Sequence, residues 1–209
     1  WDDMEKIWHH AFYKELRVAP EECPVITTES PLNPKANREK LVQIMFETFN
    51  VPALYVVAQE VAALAAVGRK TGLVLNCGAE TIYAVPIYEG HIIRHGVIRL
   101  DFAGRQLDTY LAALFSRSQI SFTTTCELEI VSDIKETQCY VAYDFAEEMR
   151  KPISEVTKTY ELPDGQIINV ARERFQCPEM LFQPSIIDLE CNGVQEAIVN
   201  AISKCDKSL

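Results

Sequence analysis

Apolar positions along this chain switch repeatedly between helical and strand spacing. Met4, Ile7, Trp8, Phe12 and Leu16 fall near a 3.6-residue period, which predicts a helix over residues 2–16. Asp2, Asp3 and Glu5 place negative charge on its first turn, where the helix dipole favours it. Pro20 and Pro24 close it off. The β-branched run Val25-Ile26-Thr27-Thr28 reads as a short strand, and Pro31-Leu32-Asn33-Pro34 as loop. Asn37 offers an N-cap for a helix over residues 38–49, with Leu41, Ile44, Met45, Thr48 and Phe49 on one side. Residues 53–57 form a second apolar strand. An Ala-rich helix over residues 58–67 follows, which Gly68 can end.

The second half continues the alternation. Leu73-Val74-Leu75 reads as a strand, Asn76-Cys77-Gly78-Ala79 as a turn and residues 80–87 as a returning strand, together a β-hairpin. A further strand covers residues 97–102. Gly104 precedes a helix over residues 106–115 with Leu107, Leu111 and Leu114 apolar. Thr123-Thr124-Thr125 caps another that runs to about residue 138, and Glu127 stands at capping-box spacing from Thr124. Asp164-Gly165 marks a turn between two strands. A short helix at 172–175, an irregular stretch at 177–185 and a final helix from Val194 to Lys204 complete the pattern. The expected class is α/β, with two helical clusters and more than one sheet segment.

Composition narrows the function. The chain has 209 residues, 48% of them hydrophobic, which excludes a disordered polymer. Its 30 acidic against 20 basic residues give a net charge of -10, which argues against a nucleic-acid partner. The seven cysteines are an odd number, without a C-x-x-C pair, so a reduced, intracellular protein is expected. His9, His10, His91 and His95 lack zinc-ligand spacing to them. The longest apolar stretch, residues 51–67, is interrupted by Pro52, Gln59 and Glu60 and is short for a membrane span, so no membrane partner is expected. The chain opens on Trp1 without a secretory signal, which suggests a piece of a longer protein.

The turn at residues 76–79 is the first candidate for chemistry. A turn between strands can cradle phosphate oxygens on its backbone N–H groups when small residues let the ligand approach, and a carboxylate at its start can hold a hydrated Mg²⁺. Here the turn starts with Asn76 and carries one glycine, Gly78. Taken alone, these residues make an ordinary hairpin loop.

Longer runs supply a frame. WDDMEKIWHH at residues 1–10, ELRVAPEE at 15–22, PLNPKANREK at 31–40 and QIMFETFN at 43–50 resemble the actin family closely. So do VPIYEG at 85–90, SFTTT at 121–125, YELPDGQ at 160–166 and FQPS at 182–185. The resemblance runs nearly end to end. It implies the two-lobed nucleotide-cleft fold shared with sugar kinases and Hsp70-type chaperones, a ribonuclease H-like α/β fold, incomplete in this chain. It places residues 1–66 in the small outer-lobe domain, 67–102 and 190–209 in the inner domain of the large lobe, and 103–189 in the domain above that. The family's first phosphate hairpin, mobile loop domain and C-terminal adenosine loop have no counterpart here, and two positions between Met149 and Tyr160 are missing.

The resemblance also implies ATP or ADP with Mg²⁺ as ligand. Gln59 matches the glutamine that orders water around the metal and terminal phosphate. Lys135 and Glu136 match the pair at the adenosine moiety, Gly104 a glycine near the ribose, and Gly78 a glycine of the second phosphate hairpin. Singly, these residues read as solvated charges, a helix start and turn glycines. Across that hairpin the family reads Asp-Ser-Gly-Asp-Gly-Val-Thr-His, where this chain has Asn76-Cys77-Gly78-Ala79-Glu80-Thr81-Ile82-Tyr83. Asn76 replaces the Asp that anchors the hydrated metal. Ala79 replaces a second Asp, Glu80 a Gly, and Tyr83 the His that positions attacking water. Ser132 replaces an Arg near the adenosine. Weak or altered nucleotide binding and poor hydrolysis are therefore expected.

Partners implied by the resemblance are other actin-like subunits and actin-binding or complex proteins. Ile186, Ile187 and Leu189 keep the family's interface plug apolar, although Asp188 falls where the family has Gly. Ala65 replaces a Tyr in the cleft where regulators dock. Two readings stand: a cytoplasmic, cytoskeletal filament subunit or filament-associated protein with weakened hydrolysis, or a nucleotide-independent scaffold in a motor, ciliary or chromatin assembly.

Overall fold

Parallel strands cannot be joined by a tight turn, so two β-branched segments that pair in parallel need a helix between them. The computed structural model, which describes residues 1–206, has this arrangement near its start. Strand β1 (Val25–Glu29) pairs in parallel with β2 (Leu54–Ala58), Val25 opposite Leu54 and Glu29 opposite Ala58. Helix α2 (Lys35–Glu47) makes the crossover. The chain divides into two units, one of residues 1–74 and 85–93, the other of residues 75–84 and 94 onward. The expected inner-domain segment 190–209 extends in its last three residues outside the described part.

In the first unit, α1 (Asp2–His10) continues as a wider π-helical run, Ala11–Leu16, which stops at Arg17 in the left-handed region. Phe12, Leu41, Ile44, Met45, Phe49 and Val51 form the core, with the rings of Phe12 and Phe49 5.3 Å apart. The end of β1 is tied to α2 by ions. The Glu29 carboxylate accepts from Nε of Arg38 (3.0 Å) and from its Nη2, and also from Nδ2 of Asn33 (2.9 Å). Asn37 is not the cap. The helix starts three residues earlier because Ser30 O accepts from Asn33 N, a turn that brings Pro34 in as the N-cap with extended backbone. Asn37 then lies in the first turn, its Nδ2 3.3 Å from Asn33 Oδ1. Helix α3 (Gln59–Ala66) follows β2 directly and ends at Gly68, with φ 73°, whose N–H donates to Ala65 O.

The predicted hairpin forms from β3 (Gly72–Cys77) and β4 (Ile82–Tyr88), adjacent in one four-stranded sheet. Asn76 and Cys77 belong to the strand, so the loop begins at Gly78, whose N–H donates to Thr81 O at 3.0 Å. In the first unit the end of β4 pairs with β5 (His91–Ile92) around Glu89 and Gly90, both at positive φ. In the second unit the start of β4 pairs with β6 (Ile98–Leu100), a shorter strand than the sequence suggests.

The second unit's core lies between α4 (Gly104–Arg117) and α5 (Thr125–Gln138), with β8 (Ile167–Val170) and α8 (Glu173–Glu179) against them. Leu111, Leu114, Phe115, Val131, Ile134, Ile168, Val170 and Cys177 are buried there. Strand β7 (Lys158–Glu161) pairs antiparallel with β8 across the Asp164-Gly165 turn. Gly165 takes φ 83° and the Asp164 carboxylate accepts from Gln166 N. Helices α6 (Phe145–Arg150) and α7 (Ile153–Val156) are too short to leave a periodic signature. Helix α8 runs into the stretch expected to be irregular. Its Arg174, Phe175, Cys177 and Pro178 are buried, and that packing overrides the helix-breaking proline. Helix α9 (Val194–Ser203) packs on β6 and buries Val194, Ala197 and Ala201.

The capping box at α5 forms as read. Glu127 N donates to Thr124 Oγ1 at 3.3 Å, and the Glu127 carboxylate accepts from the N–H groups of Thr123 (2.7 Å) and Thr124 (2.8 Å). These backbone donors hold the Glu127 carboxyl below its usual range. A group with a depressed folded pKa stabilises above its unfolded value and loses that contribution on acidification. Glu127→Gln is expected to flatten the decline in urea-denaturation stability as pH falls from about 4.3. Thr124→Ala is expected to cost about 1 kcal/mol at neutral pH.

Candidate functional site

Phe102 and Ala103 are each 1% exposed, and their burial fixes the chain immediately before α4. The helix therefore begins hard against the β3–β4 loop. Its first two amides have no partner within the helix. Here Gly104 N donates to Gly78 O at 3.1 Å and Arg105 N to Ala79 O at 2.8 Å. A Cβ added to Gly104 would lie 3.3 Å from Gly78 O, 3.5 Å from Ala79 Cα and 3.7 Å from Lys135 Nζ. One added to Gly78 would lie 3.2 Å from Thr81 O. Glycine at both places lets loop and helix meet.

Helix α5 faces this junction, and together the three segments enclose a cavity of about 800 Å³ within the second unit. Thr125, Leu128, Glu129, Ser132, Lys135 and Glu136 reach it at helical spacing along α5. Lys135 crosses to α4: its Nζ donates to Gly104 O at 3.2 Å and stands 2.6 Å from Asp108 Oδ1. Both side chains of this ion pair are less than one-fifth exposed. The other cation of the wall, Arg105, pairs with Glu80 at 2.7 Å, with both side chains well exposed. Three carboxylates, Asp108, Glu129 and Glu136, thus share the wall with two already matched cations. Burial pushes the Cys77 thiol at the rim above its ordinary value, so it carries little thiolate.

Four of the residues picked from the sequence meet here: Gly78, Gly104, Lys135 and Glu136. Ala79 also lines the cavity, and Ser132 does so in place of the family's Arg. Asn76 is half-buried on β3 at the base of the loop and is not part of the lining. Tyr83 sits on β4 opposite Arg99 of β6. Gln59 is the exposed first residue of α3, in the first unit. Ile186 and Ile187 lie on a 3₁₀ turn, Pro184–Ile187, with Leu189 just after it. Ile186 is exposed, while Ile187 and Leu189 are half-buried. Sequence reading missed Asp108. Its signal was position, four residues after Gly104 and hence on the same face of α4. Among the described residues no group of three or more His, Cys, Asp or Glu is placed to hold a metal ion. Nor is any helix among them long and apolar enough to cross a membrane.

Breaking a poorly hydrated ion pair from one side leaves the other charge uncompensated. A double-mutant cycle on Lys135→Met and Asp108→Asn is expected to give a coupling of about 1–3 kcal/mol in urea denaturation. The parallel cycle on Glu80 and Arg105 is expected to give less than about 1 kcal/mol, because water screens that pair.

Comparison with known families gives a match to the family described as Actin, and it covers residues 1–209. The match takes in the whole sequence and agrees with a mixed α/β architecture of several sheets, so this chain belongs to the actin family.

Proposed function

We propose that this actin-family chain binds an adenine nucleotide in the cavity of the second unit and hydrolyses it poorly. One observation carries the reading: Gly78 and Gly104 meet through the backbone while Lys135 and Glu136 face them across one cavity. The adenosine end of a nucleotide fits these residues. Glycines permit close approach, and Glu136 and Ser132 offer hydrogen-bond acceptors.

The metal end fits less well. A hydrated Mg²⁺ wants hard, preferably anionic oxygen. Asn76 offers a neutral amide, Ala79 offers no side-chain oxygen, and the Glu80 carboxylate is engaged by Arg105. When bound, Mg²⁺ supplies charge stabilisation to the phosphates. Of the second unit's residues, Asn76 would reach it only through water. Tyr83 in place of a His removes an imidazole from the group that positions water. Phosphoryl transfer runs on positioning and electrostatics, and each such loss raises the barrier by about 2–4 kcal/mol.

Membership of the family supports a cytoplasmic, cytoskeletal role as filament subunit or filament-associated protein, with Ile186, Ile187 and Leu189 meeting another actin-like subunit. The alternative is a nucleotide-independent scaffold in a larger motor, ciliary or chromatin assembly. The exposed Glu80–Arg105 pair on the loop favours it, since the resemblance sets Glu80 where the family's phosphate hairpin has a Gly.

Single-turnover phosphate release from the complete protein is expected to be far slower than from actin, and an actin-like rate refutes weakened hydrolysis. Asn76→Asp combined with Glu80→Gly is expected to speed release about tenfold for each 1.4 kcal/mol of barrier recovered. Nucleotide released on denaturation, together with Mg²⁺- and salt-dependent pelleting, supports the filament reading. A monomer free of nucleotide supports the scaffold.

A further inference from the structure

We infer that Cys139 and Cys177 form a peroxide-responsive dithiol, an oxidation site that closes to an intramolecular disulfide between the end of α5 and α8. The inference stands apart from the nucleotide reading, because neither cysteine lines the cavity.

Contacts of Arg174 bring the two residues together although they are far apart in sequence. Arg174 grips the end of α5 on both sides of Cys139. Its Nε donates to Gln138 O at 2.9 Å, and its own carbonyl accepts from Tyr140 N at 3.0 Å. Its guanidinium lies 4.8 Å from the centre of the Tyr140 ring. Cys177 stands three residues after Arg174 in α8, hence on the same face of that helix. Both cysteines belong to one apolar cluster, Cys177 inside it and Cys139 packed against it. The two thiols hydrogen-bond one another. Thiols in such contact lie within the short span that a disulfide bridges.

The roles divide by exposure. Cys177 is 0% exposed, and its S–H donates to Leu107 O at 3.4 Å. Cys139 is half-buried, so solvent reaches it first. The hydrogen bond from Cys177 holds the Cys139 thiol below its ordinary value against the effect of burial, and the charges of Arg174 and Lys135 add to this. The same bond, together with burial, pushes the Cys177 thiol up. The accessible sulfur is thus the one that carries thiolate, while the buried sulfur keeps its proton.

Hydrogen peroxide is the oxidant. The Cys139 thiolate attacks one peroxide oxygen, the O–O bond breaks and hydroxide leaves, which gives a sulfenic acid on Cys139. That hydroxide takes up the proton Cys139 had lost and becomes water. The Cys177 sulfur then attacks the Cys139 sulfur. The S–O bond breaks, and the departing hydroxide takes the Cys177 proton and leaves as a second water. Both thiols are oxidised to one disulfide, and peroxide is reduced to water. Because Cys177 is already held against Cys139, the closing step is intramolecular. That proximity offsets the small thiolate fraction of Cys177 and favours closure over further oxidation of the sulfenic acid.

The test treats the reduced full chain with hydrogen peroxide, alkylates the remaining thiols in denaturant and reads the digest by mass spectrometry. A Cys139–Cys177 cross-linked peptide is expected, two hydrogens lighter than its reduced halves, with alkylation lost at both cysteines together and restored by dithiothreitol. In Cys177→Ala, Cys139 is expected to stop at the sulfenic acid and to take up dimedone. Cys139→Ser, at the half-buried position, is expected to slow oxidation of Cys177 at least about tenfold, since a buried thiol then meets peroxide only when the structure opens. Three results overturn the inference. One is cross-linking among the exposed Cys77, Cys126 and Cys191 while Cys139 and Cys177 stay alkylated. Another is sulfinic acid on Cys139 of the unsubstituted chain with Cys177 still free. The last is oxidation of Cys177 in Cys139→Ser at the unsubstituted rate.

Discussion

The second unit is organised around one main-chain junction, where the carbonyls of Gly78 and Ala79 accept the first two N–H groups of α4. Unpaired amides at a helix start are costly to bury and normally go to water, a side chain or a ligand. Here a loop takes them. That choice fixes the distance between hairpin and helix, favours glycine at residue 104 and brings Lys135 within reach of both Gly104 O and Asp108. The cavity is the space that remains where α5, packed into the core through Val131 and Ile134, faces this junction.

The first unit depends on a different constraint. Its parallel strand pair requires a crossover, and α2 supplies both the connection and half of the core. The Glu29 side chain, 8% exposed at the end of β1, is a charge that has to be matched. Arg38 and Asn33 match it, and in doing so they set where α2 begins. The ion pair ties the end of β1 to the first turns of α2.

Much of the fold was legible because its signals are local. Helices α1, α3, α5 and α9, the Asp164-Gly165 turn and the Thr124–Glu127 cap rest on residues a few positions apart. The errors arose where distant residues decide. Asn37 loses the cap to a Ser30–Asn33 turn, and α8 passes through Pro178 because its flanks are buried by other elements. At the site, the glycines and Lys135 could be found from the resemblance. For Asp108 the sequence offers only its spacing from Gly104, because its importance comes from an ion pair between α4 and α5 that no single segment encodes.

Hydrogen bonds between main-chain atoms are blind to side-chain identity. Because the hairpin grips the helix through carbonyls, the residues hung on that loop are released from architectural duty. Ala79 and Glu80 can change without unseating the scaffold beneath them. The frame and the residues carried on it can thus change independently of one another.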